Sequence, residues 1–247
     1  MLNIKNLTAY VGDKKILDNI NLNINDGEIH AIMGPNGTGK STICKVLMGD
    51  LEYKIVSGTI TYNGNVINDY DSSKRSLDGI FLLNQVPISV EGVTNAEMLR
   101  VALKAKTGKQ INIFEFNKEL ETICEKLHLP KSFIHREINV GMSGGERKKN
   151  ELLHMWVLKP SLLILDELDS GLDVDALKIC SESIKEYYEK YKPSILIITH
   201  HTEVLEYIKP DFVHVLKNGS IVKTGNYDLA KNIEKYGFNN ANELSEN

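Results

Sequence analysis

Apolar and polar positions alternate near the start of the chain. Ile16 and Leu17 are followed by Ile20, Leu22 and Ile24, a period of two that predicts a strand with one buried face. Asn25-Asp26-Gly27 supplies a turn, and Glu28-Ile29-His30-Ala31-Ile32-Met33 predicts a second, more apolar strand. After a glycine-rich loop the period changes. Ile43, Val46 and Leu47 share one face of a helix expected over 41–48, and Gly49 ends it. Gly58-Thr59-Ile60-Thr61-Tyr62-Asn63-Gly64 returns to strand spacing and closes on an Asn-Gly turn.

From about 96 to 156 the spacing is helical. Met98, Leu99, Val101, Ala102 and Leu103 fit one helical face, and an amphipathic run over 114–129 stops before Pro130. Leu162-Leu163-Ile164-Leu165, leading into Asp166-Glu167, predicts a strand buried on both faces, as in a parallel sheet. A helix over 174–188, a second such strand over 194–199 and a strand–turn–strand about Asn218-Gly219 complete the pattern. The polar segment 239–247 is expected to fray. The pattern as a whole predicts an α/β core interrupted by a helical insertion.

Composition narrows this picture. A chain of 247 residues with 42% hydrophobic and 25% charged residues has enough material for one large domain or two small ones. Its apolar runs fall far short of the roughly 20 residues that span a bilayer, and Met1-Leu2-Asn3-Ile4-Lys5 lacks the pattern of a signal peptide. A net charge of −4 gives no bulk attraction to nucleic acid or to an anionic membrane. The basic residues are 25 lysines and 4 arginines, a skew that folding does not demand and that fits an AT-rich genome. Cys44, Cys124 and Cys180 form neither a CxxC pair nor a ligand-spaced cluster, so they read as buried thiols in a reducing compartment.

The chemistry concentrates in the glycine-rich loop. Gly34-Pro35-Asn36-Gly37-Thr38-Gly39-Lys40-Ser41 matches G-x-x-x-x-G-K-[ST], follows a predicted strand and opens a predicted helix. Glycines let successive amides turn inward around a polyphosphate at a helix amino terminus. Lys40 is placed to bridge the β- and γ-phosphates, Ser41 to ligate Mg²⁺, and Thr42 to extend the cradle. A loop of this kind needs a metal-positioning acid at the end of a neighbouring buried strand. Asp166 supplies it, and the adjacent Glu167 can polarise an attacking water. Together the two motifs imply a nucleotide triphosphatase.

Met142-Ser143-Gly144-Gly145-Glu146, about 20 residues before that strand, resembles the LSGGQ signature of ATP-binding-cassette (ABC) ATPases, with Met142 for leucine and Glu146 for glutamine. In that family the signature faces the γ-phosphate of the opposite subunit. Ser143, Gly144 and Gly145 would therefore complete a partner's site, while the charge of Glu146 opposes attraction for phosphate. The resemblance assigns Tyr10 to stacking on adenine and Gln85 to the loop that touches Mg²⁺ and the water. It assigns Ser170-Gly171-Leu172-Asp173 to the D-loop, with Asp173 linking the halves, and His200 to the γ-phosphate. His154, His201 and His214 match no role in the family. The implied fold is a P-loop NTPase core with an antiparallel β subdomain and an inserted α-helical subdomain, divided as 1–91, 92–156 and 157–247.

Val140-Gly141-Met142-Ser143-Gly144-Gly145-Glu146 and Asp169-Ser170-Gly171-Leu172-Asp173-Val174-Asp175-Ala176-Leu177-Lys178 resemble, more narrowly, the SufC family of iron–sulfur cluster assembly ATPases. Transporter cassettes commonly carry alanine where Gly171 stands and glutamine where Glu146 stands. The resemblance implies ATP and Mg²⁺ as cofactors and SufB- and SufD-like scaffold proteins as partners. It further implies a transient ATP-dependent homodimer, with no nucleic acid and no direct membrane insertion. The implied setting is a bacterial cytoplasm, or a plastid (apicoplast) stroma after loss of a transit peptide. The segment Val86-Pro87-Ile88-Ser89-Val90-Glu91-Gly92-Val93 departs from the family's aromatic-proline pattern beside the partner groove. Alternative readings are the nucleotide-binding subunit of an ABC transporter and an assembly module gated by nucleotide binding. A DNA-repair ATPase is disfavoured, because the helical insertion leaves no room for a long coiled coil.

Overall fold

Residues 1–238 of the computed structural model are described, so the fraying expected over 239–247 lies outside the described residues. The chain opens with β1 (Leu2–Val11), β2 (Lys14–Ile24), β3 (Ile29–Met33), α1 (Lys40–Met48), β4 (Tyr53–Tyr62), β5 (Asn65–Val66), α2 (Ser72–Leu77) and β6 (Ile80–Leu83). It continues through β7 (Val90–Thr94), α3 (Asn95–Thr107), α4 (Ile113–Lys126), β8 (Glu137–Ile138), α5 (Gly144–Leu158), β9 (Leu162–Asp166) and α6 (Val174–Tyr191). The last elements are β10 (Ser194–Ile198), α7 (Glu203–Tyr207), β11 (Phe212–Lys217), β12 (Ser220–Gly225) and α8 (Tyr227–Tyr236). No helix among the described residues is long and apolar enough to cross a membrane.

Contacts divide the chain into two units. Among the described residues, the first holds Met1–Leu82, Ser161–Glu167 and 192–238. Its apolar runs explain its larger sheet. Every residue of β3, β9 and β10 is buried, as expected for strands covered on both faces. They form the centre of a six-stranded sheet ordered β12-β11-β3-β10-β9-β6, in which β3 pairs in parallel with β10 and β11, and β10 with β9. An antiparallel sheet ordered β2-β1-β4-β5 carries the alternating segments. Leu17, Ile20 and Leu22 from its inner face meet Ile32, Leu196 and Ile198 of the parallel sheet and Ile43, Val46 and Leu47 of α1 in one core. The strand expected at 58–64 is the second half of β4. Its first half carries the exposed Val56, whose position hides the strand from a hydrophobic pattern.

The second unit holds Leu83–Pro160 and Leu168–Tyr191. On α3 the expected apolar face is narrower than the sequence implies, with Leu99 buried and Val101 64% exposed. Helix α4 buries Phe116, Leu120, Ile123 and Cys124 and ends at Lys126, before the expected stop at 129. Trp156 of α5 donates from Nε1 to Ser183 Oγ at 2.9 Å and meets Tyr187 edge-on, which fastens α6 to α5. This packing places α6 in the same contact unit as α5. All three thiols are buried, and burial pushes Cys124 up to about 11 and Cys180 up to about 12.

Candidate nucleotide-binding site

Parallel pairing brings the carboxyl ends of β3, β9 and β10 to one edge of their sheet, where Ile198 aligns with Ile32 on one side and Asp166 on the other. This edge is where open α/β sheets bind ligands. The loop after β3 leads into α1 through Gly37 and Gly39, both with left-handed φ (78° and 102°), and the amide of Ile43 donates back to Gly39 O. Two neighbours brace the loop. Gly219, in the β11–β12 turn, donates from its amide to Thr38 O at 3.1 Å and accepts from the amide of Asp18 at 2.8 Å. A Cβ on Gly219 would stand 2.3 Å from Ile16 O, and one on Gly34 would stand 2.4 Å from Leu216 O. No side chain fits at either place, so the backbone comes close enough to wall the loop.

Lys40 is buried and donates from Nζ to the carbonyls of Gly34 and Pro35 at 2.8 and 3.0 Å, so it crosses under the loop it belongs to. Burial lowers its pKa, while the charges of Glu167 and Asp166 act in the opposite direction. Ser41 Oγ donates to Asp166 Oδ1 at 3.1 Å, which joins the first turn of α1 to the end of β9. Glu167 adopts a left-handed φ of 46°, an uncommon conformation for a non-glycine residue, and its amide donates to Ile198 O at 2.9 Å. Its Oε1 lies 3.3 Å from His200 Nδ1. The first unit thus brings together Lys40, Ser41, Asp166, Glu167 and His200. The paired hydroxyl and carboxylate are hard oxygen donors suited to Mg²⁺. Tyr10 sits half-buried in β1, opposite Lys15 of β2 and Lys54 of β4.

The remaining sequence candidates, Gln85, Ser143, Gly144, Gly145 and Asp173, fall in the second unit. Ser143 caps α5: its Oγ accepts from the amide of Glu146, and Glu146 Oε2 accepts from the amide of Ser143 at 2.9 Å. Gly144 packs toward Gly171 O and Gly145 toward Ala176, so the signature and D-loop segments touch. Asp173 Oδ1 accepts from the amide of Ala176 at 2.7 Å, which makes it a cap for α6. Gln85 is exposed.

The family profile described as "ABC transporter" matches residues 17–170. The chain belongs to the ABC transporter ATPase family. Within this ABC family it groups with proteins named SufC and ycf16. It is 42% identical to the "Probable ATP-dependent transporter SufC" of Escherichia coli, over 96% of this chain and 97% of that protein. It is 48% identical to the "Probable ATP-dependent transporter ycf16" of Trieres chinensis, over 96% of each. Among solved structures it resembles the dimeric MJ0796 bacterial ABC transporter cassette, with a TM-score of 0.80 and 24% identity over 92% of this chain and 99% of that one. An ABC transporter ATP-binding subunit gives the same TM-score at 25% identity, with both chains fully covered. The P-loop ABC ATPase fold expected from the sequence is therefore the fold observed.

In this ABC ATPase several site-bearing residues escape sequence reading. Asn84 precedes Gln85 and is gripped at both ends of its peptide by α5. Glu151 Oε1 accepts from its amide at 3.1 Å, and Lys148 Nζ donates to its carbonyl. Both charged side chains are buried, and burial pushes Glu151 up to about 7. The divergent segment after Gln85 is stitched on as well, since Ser89 Oγ donates to Asn139 O and Asn139 Nδ2 donates to Ile88 O. At the far end of α1, the buried Arg75 donates to five carbonyls. None of these contacts has a motif, because each joins residues distant in sequence.

Proposed function

We propose that the chain is a Mg²⁺-dependent ATPase that closes as a transient homodimer on ATP and drives conformational change in a SufB/SufD-like iron–sulfur scaffold. The observation that carries the hydrolytic reading is the joining of Lys40, Ser41–Asp166 and Glu167–His200 at the carboxyl edge of one sheet. The match to SufC and ycf16 relatives over nearly the full chain supports the cellular role. The inserted helical segment is proposed as 92–156, between core parts 1–91 and 157–247.

In this reading Tyr10 stacks on adenine, and the amides of Gly34, Pro35, Asn36, Gly37, Thr38 and Gly39 surround the phosphates, with Thr42 beside them. Lys40 exchanges its loop carbonyls for phosphate oxygens. Ser41, Asp166 and Gln85 would hold Mg²⁺, whose charge would offset that of the phosphates. Glu167 orients the attacking water and accepts its proton, and His200 steadies Glu167 while touching the γ-phosphate. Ser143, Gly144 and Gly145 of the other copy donate to the same phosphate, and Asp173 couples the halves. The isolated chain is then a slow ATPase, since half of its transition-state donors belong to a second copy. The chain works in a plastid stroma or a bacterial cytoplasm. Affinity purification from its native source tests the role: recovery of a SufB-like protein is the expected result, and recovery with a membrane permease overturns it.

A further inference from the structure

The signature carries a carboxylate where a helix amino terminus should attract phosphate. The amino end of α5 bears about half a positive charge, and a full negative charge on Glu146 reverses its sign. The structure supplies the remedy. Arg136 donates from Nη1 to Glu146 Oε1 at 2.8 Å, while Glu146 Oε2 remains on the Ser143 amide. One carboxylate is thereby shared between a cap and a guanidinium, and the three charges again sum to about half a positive unit. The guanidinium lies 5.1 Å from the ring centre of the buried Phe133, and the Arg136 carbonyl accepts from both nitrogens of Asn95, so the arginine's position is fixed from behind. A second arginine joins in: Arg147 Nε donates to Met142 O at 3.0 Å, holding the residue before Ser143.

The composition makes these placements informative. Only 4 of 29 basic residues are arginine, yet two of the four engage the signature and a third, Arg75, closes the far end of the phosphate-loop helix. A plain stabilising brace is a poor explanation for Arg136. Its side chain and that of Glu146 are 37% and 36% exposed, and ion pairs so wet contribute little to folding.

We infer that Arg136 is a positioning residue for the composite ATP site: it cancels the charge of Glu146 so that Ser143 and the α5 amides can meet the γ-phosphate held by another copy. This rests on the ATP-closed dimer proposed above. The test uses the full chain in a Glu167→Gln background, with dimerisation followed by sedimentation against Mg²⁺-ATP. Arg136→Gln is expected to weaken ATP-driven dimerisation about fivefold to tenfold, more at low salt, while fluorescent ATP binding to the monomer holds. Arg136→Lys should retain most of the function. The decisive variant combines Arg136→Gln with Glu146→Gln. With no carboxylate to cancel, it should dimerise within about twofold of Glu146→Gln alone. A defect that persists in the double variant makes Arg136 merely structural and overturns the inference, as does unimpaired dimerisation of Arg136→Gln. If Arg136→Gln does not fold, Arg136→Lys and the double variant still decide between charge and structure. Failure of the Glu167→Gln parent to dimerise with ATP sinks the composite-site reading itself, and the inference with it.

Discussion

Arg75 offers a direct test of how the phosphate loop is anchored. Arg75 is 1% exposed, and its guanidinium donates to the carbonyls of Val46, Leu47, Ile67, Asn68 and Tyr70 at 2.7–3.1 Å. Val46 and Leu47 belong to the last turn of α1, whose first turn carries Lys40 and Ser41. Replacing Arg75 with methionine keeps the apolar stem and removes every donor. The Val46 and Ile67 oxygens would still accept the amides of Gly49 and Tyr70. Asn68 and Tyr70 line an open surface cavity of ≈ 460 Å³, so water can reach their oxygens. Leu47 O is then left worst off, at about 2 kcal/mol, with about 0.5 kcal/mol for each half-satisfied oxygen. The expected total is about 3 kcal/mol, a large share of a typical 5–15 kcal/mol stability. For a chain of this length that is a fall in melting temperature of about 6–12 °C. Arg75→Lys, with three donors for five carbonyls, should fall between. Urea unfolding followed by circular dichroism measures the loss as a lower midpoint at constant slope, and ATP affinity should weaken with it. A cost below about 1 kcal/mol for Arg75→Met would mean that these carbonyls do not depend on the guanidinium.

Further expectations follow from the same packing. Burial lowers His154 and His214 to about 4 and pulls His30 down, while it raises Glu151 to about 7. Below pH 6.5 the unfolded chain takes up protons that the buried histidines refuse, so stability is lost as pH falls toward 4; for His154 alone the linkage reaches about 3 kcal/mol. Glu151 acts in the opposite sense between pH 7 and 4.5, so Glu151→Gln should steepen the acid loss measured by urea midpoints, and an unchanged slope would contradict that role. Gly219→Ala places a Cβ 2.3 Å from Ile16 O at a φ of 78°, which should cost about 2–3 kcal/mol and weaken nucleotide binding measured with a fluorescent ATP. Full binding by that variant would mean that the β11–β12 turn does not shape the loop.

The legible parts of this molecule are those whose chemistry is local in sequence. The phosphate loop, Asp166-Glu167 and the capped signature helix each announce themselves within a few residues, because a turn, a buried strand or a cap dictates neighbouring types. The parallel strands were legible for the same reason, as continuous apolar runs buried on both faces. What escaped depends on distant partners. Arg75 reads as a surface residue of a short helix until α1 closes over it, and Asn84 reads as a loop amide until Lys148 and Glu151 grip it from 64 and 67 residues away. Helix α6 follows an ATPase strand in sequence yet packs on α5, through a Trp156–Ser183 contact that no periodicity encodes. Glu146 is a related case. In isolation its charge counts against phosphate, and only the structure reveals the Arg136 that offsets it.

Glu167, beside His200 and in the same unit as the Ser41–Asp166 pair, is the proposed base of an ATPase. Phosphate release by Glu167→Gln, measured alongside its binding of fluorescent ATP, tests this most directly. Turnover should fall by at least about 100-fold while ATP binding stays within about threefold of the parent chain. Full turnover with ATP binding intact would exclude Glu167 as the base.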